Sequence, residues 1–208
     1  MKHFKNFKTC VYCTAQTLAS LDETTLARDY AYLEKYVGID KVYLETYRDG
    51  TWVAIDHMKM IQNFFKKHGV EIAGGITTVT PPLEKDDVKR QRLFQTFCYS
   101  NEAMRTYLKK IVTYTAELFD EIILDDFFFT SCTCDDCLRE RSNLSWAEFR
   151  SKKMIDVAEN LILKPAKLAN HTMKQVTFQK FSRLCLTKSI LEQKLETLHT
   201  QISICHDI

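Results

Sequence analysis

Along the first 170 residues, four short apolar runs rich in β-branched and aromatic side chains alternate with longer stretches of helical period. The runs are residues 9–14 (TCVYCT), 41–46 (KVYLET), 70–76 (VEIAGGI) and 121–129 (EIILDDFFF). Between the first two, Leu26, Tyr30, Leu33 and Val37 recur at helical spacing and Gly38 stands where a helix ends. Residues 56–68 carry Met60, Ile61, Phe64 and Phe65 on one face and stop at Gly69. Residues 101–118 read as a helix capped by Ser100, with Glu102 in its first turn. Ser145-Trp-Ala-Glu148 is a capping box opening a last helix over residues 145–163. Alternation of this kind predicts an α/β fold in which helices cover a parallel sheet. No GxGxxG or phosphate loop follows any run, which favours part of a (β/α)8 TIM barrel over a doubly wound nucleotide-binding sheet. Four strand–helix units are about half of such a barrel.

Composition narrows the function classes. In 208 residues, 29 Lys+Arg face 27 Asp+Glu, a net charge of +2 that gives no electrostatic case for nucleic acid. No stretch approaches the roughly 20 apolar residues of a membrane span. The start, MKHFKNFKTCVYC, is basic but lacks the apolar run of a signal peptide, and localisation is left open. Eight cysteines in a chain of this length fit thiols in a reducing compartment, or a metal clip, better than a disulfide scaffold. Residues 171–208 hold no Gly, Pro, Trp or Tyr, and they read as a compositionally foreign tail able to form a helix after a body of residues 1–170.

In sheets of this kind, active sites gather where strands end and loops begin. The second run ends in Glu45, Tyr47 and Arg48, the fourth in Asp125, Asp126 and Phe127, and the third in Gly74-Gly75, which permits close approach of a ligand or another backbone. Carboxylates among aromatics suit glycoside hydrolysis, one acid serving as proton donor and another as base or nucleophile. A separation of about 5 Å between them leads to retention, a wider one to inversion. Arg48 would orient a carboxylate or bind an anionic sugar substituent, and Tyr47, Tyr99 and Phe127 offer aromatic surface to a sugar. A structural Glu45–Arg48 salt bridge and a capping role for Asp126 are the plain alternatives. Asp125 shares a face with Ile123, Asp126 with Leu124, and the sequence does not say which face is inside. Cys132-Thr-Cys134-Asp-Asp-Cys137 places three thiols in one tight loop, a spacing able to clasp zinc or an iron–sulfur cluster. Cys98 is the natural fourth ligand, ahead of Cys10 or Cys13. His57 and His68 read as structural, and residues 85–92 (KDDVKRQR) as a solvated loop or helix face.

YLETYRDG at 43–50, EIAGGIT at 71–77, FQTFCYSN at 94–101, FDEIILDDFFFTSC at 119–132, SWAEFR at 145–150 and LILKPAK at 161–167 occur in this order. Together they resemble a poorly characterised group of bacterial TIM-barrel, glycoside-hydrolase-like proteins over roughly residues 8–170. The resemblance implies a (β/α)8 fold on a longer, often exported chain, and a carbohydrate-directed site using Glu45, Asp125 and Asp126. Such proteins continue with an Asn-Pro, a fifth strand and a Thr-Gly-Thr-Glu-Thr-Arg-Asp segment, and this sequence departs at Asn170-His171. Encoded as ACT GGA ACA GAA ACT AGA GAC and read one base later, that segment gives Leu-Glu-Gln-Lys-Leu-Glu-Thr, which is residues 191–197 here. The expectation is that residues 171–208 are a frameshift product.

Three functions compete on these readings. One is a carbohydrate-active hydrolase with no required cofactor, inactive in this chain for want of later strands. Another is a non-catalytic carbohydrate-binding or scaffold protein. The last is a small metal-binding module around Cys132, Cys134 and Cys137. A half-barrel also exposes two sheet edges and an inner face, so self-association is expected.

Overall fold

The computed structural model describes residues 6–79, 92–124 and 128–178. Within them, a sheet runs in the order β1 (Cys10–Cys13), β2 (Lys41–Arg48), β4 (Glu71–Ile76), β5 (Glu121–Leu124) and β6 (Gln175–Phe178), every neighbouring pair parallel. Helices α2 (Glu23–Tyr36), α3 (Ile55–Lys67), α4 (Glu102–Leu118) and the long segment from Trp146 to Ala169 connect them. This is the strand–helix alternation of an α/β fold, consistent with part of a TIM barrel. Among the described residues, no helix is long and apolar enough to cross a membrane.

The helix boundaries follow local chemistry. Gly38 and Gly69 adopt φ of 74° after α2 and α3, the left-handed ending that glycine tolerates. Helix α4 is capped one residue later than the sequence suggested: the Asn101 side chain accepts from the Met104 amide at 3.1 Å. The Ser100 hydroxyl instead lies 3.4 Å from Cys137 Sγ. Asp49-Gly50, with φ of 44° and 84°, turns β2 into the two-residue antiparallel strand β3 (Thr51–Trp52), as Asp-Gly turns do. Two short helices, α1 (Ala15–Ser20) and α5 (Asp135–Arg141), carry too few periods to stand out in the sequence.

The last helix runs beyond the expected residue 163, through α6 (Trp146–Asp156), a π-helical stretch (Val157–Leu163) and α7 (Lys164–Ala169). Pro165 explains the form. It lacks an N–H, and its ring would collide with the carbonyl four residues back, so the turn before it widens instead of breaking.

The sheet also extends past residue 170. Strand β6 pairs in register with β5, Gln175 opposite Glu121 and Phe178 opposite Leu124. Asp120 anchors it: its carboxylate accepts from Asn170 Nδ2 at 3.0 Å and Thr172 Oγ1 at 3.2 Å, and its carbonyl from the Lys174 amide at 2.7 Å. The fifth parallel strand therefore lies within the segment that composition set apart.

The two faces of the sheet differ in chemistry. Val42 and Leu44 pack with Leu18, Met58 and Ile61 of the helices, and Ile122 and Leu124 with Leu108, Ile111 and Val112 of α4. A Cβ on Gly74 would sit 2.7 Å from Thr115 Cγ2 and 2.8 Å from Phe119 Cδ2, so this glycine is what lets α4 lie against the sheet. The opposite face holds Tyr12, Tyr43 and Glu45, and a Lys41–Glu121 ion pair of 2.6 Å lies across the strands, with Lys41 Nζ 5.1 Å above the Tyr43 ring.

Two outcomes follow from these contacts. Gly74→Ala should destabilise the fold by about 1–3 kcal/mol through overpacking, read by urea denaturation. The hydrogen bond from Asn170, then that from Thr172, holds the Asp120 carboxyl below its ordinary value. Its contribution is complete above about pH 4 and is lost as pH falls through the lower folded value. Asp120→Asn should therefore flatten the acid limb of a stability–pH curve.

Candidate functional site at the strand ends

Glu45, near the end of β2, is fully buried and is the point on which the strand ends converge. Four donors meet its two oxygens. Tyr12 OH donates to Oε1 at 2.8 Å and Thr77 Oγ1 to the same oxygen. The Ala15 amide donates to Oε2 at 2.6 Å and Arg48 Nε to it at 2.8 Å. These groups come from β1, from the first residue of α1, from the end of β2 and from the residue after β4. The bulge between Glu45 and Tyr47 shifts the register at the strand end, and Glu45 itself pairs with Gly75.

Gly75 explains how Tyr12 reaches the carboxylate. A Cβ there would lie 2.7 Å from Tyr12 OH and 3.0 Å from its Cε2. The Gly-Gly pair, expected to admit a ligand or another backbone, thus admits α4 side chains on one face and the Tyr12 ring on the other.

The other expected site residues separate into groups. Arg48 keeps 22% of its side chain exposed while paired to Glu45, so the guanidinium edges out of the buried cluster. Tyr47 is fully buried, 5.1 Å from Trp52 and 5.6 Å from Tyr107 ring to ring, and its OH accepts from the Gly50 amide at 3.0 Å. Burial pushes its phenol well above the usual range. Tyr99 is 1% exposed and likewise raised by burial. Neither tyrosine presents a ring face to solvent. Asp125, Asp126 and Phe127 lie outside the described residues. Just before them, Ile122 and Leu124 belong to the helix-side core and Ile123 does not. Tyr12 and Thr77 escaped the sequence reading, although a tyrosine alternating with Val11 and Cys13 signals a polar-tipped residue on the face away from the helices. His57 Nε2 bonds the Leu18 carbonyl and His68 Nδ1 that of Phe64, both at 2.8 Å, as structural histidines do. Most of residues 85–92 lies outside the described residues. Arg92 is buried, with its Nε on the Thr96 carbonyl at 2.6 Å.

A second cluster lies beside these strand ends. The Sγ atoms of Cys98, Cys132, Cys134 and Cys137 all fall within 4.8 Å of one another, a set that could bind a metal. Cys98 Sγ is 3.6 Å from Cys134 Sγ and 3.7 Å from Cys137 Sγ. Cys10 and Cys13, on β1, stand apart from it. Sulfur hydrogen bonds from Cys137, then Cys98, pull the Cys132 thiol far below its ordinary value, while those same contacts with Cys132 raise Cys98 and Cys137.

Against this geometry, comparison with known proteins is decisive for family. Residues 1–181 match the family model described as "Probable glycosyl hydrolase, catalytic domain". The chain belongs to this family. It is also 31% identical, over 194 residues, to an uncharacterised protein of the archaeon Saccharolobus solfataricus. That match takes in 82% of this chain and 32% of the relative, so the chain spans about a third of the length of that uncharacterised protein.

The Glu45 cluster makes a sharp stability prediction. Glu45→Ala removes the buried acceptor shared by Tyr12, Thr77, Arg48 and the Ala15 amide and should cost about 3–5 kcal/mol, whereas Tyr12→Phe removes one donor and should cost about 0.5–1.5 kcal/mol. Denaturant titration of both variants checks the ratio.

Proposed function

We propose that the protein acts on carbohydrate at the C-terminal ends of β1, β2, β4 and β5, with Asp125 or Asp126 supplying the reacting acid and Glu45 organising the site. The observation that carries this reading is the convergence of four donors on buried Glu45. Such a carboxyl cannot turn an oxygen toward a sugar without abandoning a partner, so its role is to hold Arg48 and Tyr12 in place. Membership of a glycosyl hydrolase family supports the substrate class. Of the two acids we favour Asp125, which the sequence pattern pairs with Ile123, a residue outside the helix-side core. A proton donor among the neighbouring phenylalanines would be held for general acid work, and Arg48 would orient a polar or anionic sugar group.

A non-catalytic binding role is the second reading, and the saturation of Glu45 favours it to the extent that the strand-end acids only bond a ligand. The four cysteines leave no open coordination position and have no step in either reading.

We also place the proposed change of reading frame after residue 178. The pairing of β6 with β5 and a family match running to residue 181 support a native frame through that strand. Sequencing the gene across the following codons tests this.

The test of function is a glycoside screen on this chain and on the full-length relative. If Asp125 is the reacting acid, Asp125→Asn lowers kcat/KM by about 10²–10⁴-fold, with a smaller loss in Asp126→Asn. Turnover that survives both substitutions removes the assignment. Saturable oligosaccharide binding by calorimetry without turnover in either protein selects the binding reading.

A further inference from the structure

We propose that Cys98, Cys132, Cys134 and Cys137 hold one zinc ion as a closed tetrathiolate, and that this ion locks the loop after β4 to the loop after β5. The inference is independent of the carbohydrate reading, because it rests on sulfur geometry alone. A tetrahedral zinc with bonds of about 2.3 Å places its sulfurs about 3.8 Å apart. The distances of 3.6 and 3.7 Å from Cys98 Sγ to the sulfurs of Cys134 and Cys137 are those of such a site. A disulfide would bring two of the sulfurs to about 2 Å, and none of these contacts is near that. A multi-iron cluster spreads its four thiolates over several metal atoms, too widely for sulfurs that all lie within 4.8 Å of one another.

The surroundings are built for the ion. Cys98, Cys132 and Cys137 are no more than 2% exposed, so the site is shielded from water and from competing ligands. Cys134 occupies the position just before α5 and makes no side-chain cap bond, which leaves its sulfur for the cluster. Cys137 sits one turn further on, so the x-x spacing folds both sulfurs onto the same side. The Ser100 hydroxyl, 3.4 Å from Cys137 Sγ, would donate to that sulfur once it is a thiolate, the outer-shell bond that metal-bound thiolates attract. All four positions are filled by protein, and the ion is therefore structural.

What the ion would fasten is visible in the contacts around it. The Leu93 amide donates to Ser131 Oγ at 2.8 Å, and the rings of Phe94 and Phe129 meet at 6.3 Å. The Phe97 amide returns to the Thr78 carbonyl at 3.1 Å, just beyond β4. These contacts, with the packing of Phe97 and Phe128 in one core, already bring the two loops together. The zinc would fasten them, coupling its binding energy to the ordering of both loops.

The experiment uses the full chain, produced in zinc-replete medium and purified under reducing conditions, with metal content read by mass spectrometry. One zinc per chain is expected, lost in Cys98→Ser and in Cys137→Ser and kept in Cys10→Ser. As a measurement that does not need the variants to fold, cobalt(II) added to the unfolded, demetallated wild-type chain during refolding should give the ligand-field and sulfur charge-transfer bands of tetrahedral tetrathiolate. Alkylation of the native protein should spare these four cysteines until a strong chelator is present. Wild-type protein with no zinc and no tetrathiolate cobalt spectrum would overturn the proposal. So would iron in the site, disulfides among the four cysteines, or full zinc retention in both serine variants.

Discussion

The charge on Glu45 has to be matched where it is, because no water reaches it. A buried carboxyl is tolerated only when its oxygens are bonded, and here four separate segments supply the donors. The consequence runs outward. Tyr12 fixes β1 against β2, Ala15 fixes the start of α1, Thr77 fixes the chain as it leaves β4, and Arg48 is held at the rim. Loss of any one of these segments would remove one of the four donors to this buried carboxyl, so the strand ends form one cooperative unit.

That unit depends on two glycines with opposite tasks. Gly74 yields its space to Thr115 of α4 and to Phe119 just after it, and Gly75 yields its space to the Tyr12 ring. Adjacent residues on a strand point to opposite faces, so a Gly-Gly step thins the sheet on both sides at one level. The helix layer closes in from one direction and a tyrosine from the other. The apolar side of the sheet thereby stays tightly packed while the other side keeps room for polar chemistry.

The fold was readable from the sequence wherever one period persisted over many residues. Helices α2, α3 and α4 declared themselves through apolar spacing and terminal glycines, and the strands through β-branched runs. Reading failed where the deciding contact is distant or the element is short. Strand β6 is four residues in a stretch without turn signals, and its place in the sheet shows only in its pairing with β5 and its anchoring at Asp120. The last helix was expected to end at residue 163, yet a widened turn carries it across Pro165. At the candidate site, Glu45 and Arg48 were found because acids and bases at strand ends are conspicuous. The burial of Tyr47 and the bond from Tyr12 were not, since both follow from which face of a strand meets the helices. The fourth cysteine was found by loop logic alone, and Cys98 does lie with the other three.

Finally, the order of the main strands in space is their order along the chain, apart from the short hairpin strand β3. Each strand docks on the one made just before it, with its connecting helix laid alongside. Among the described strands, each waits only for the crossover that precedes it, although that crossover is long and parallel pairing of this kind forms slowly. Such a sheet can be assembled progressively from one end as the chain is synthesised. It can also gain or lose a unit at the advancing edge without unpicking the strands already in place.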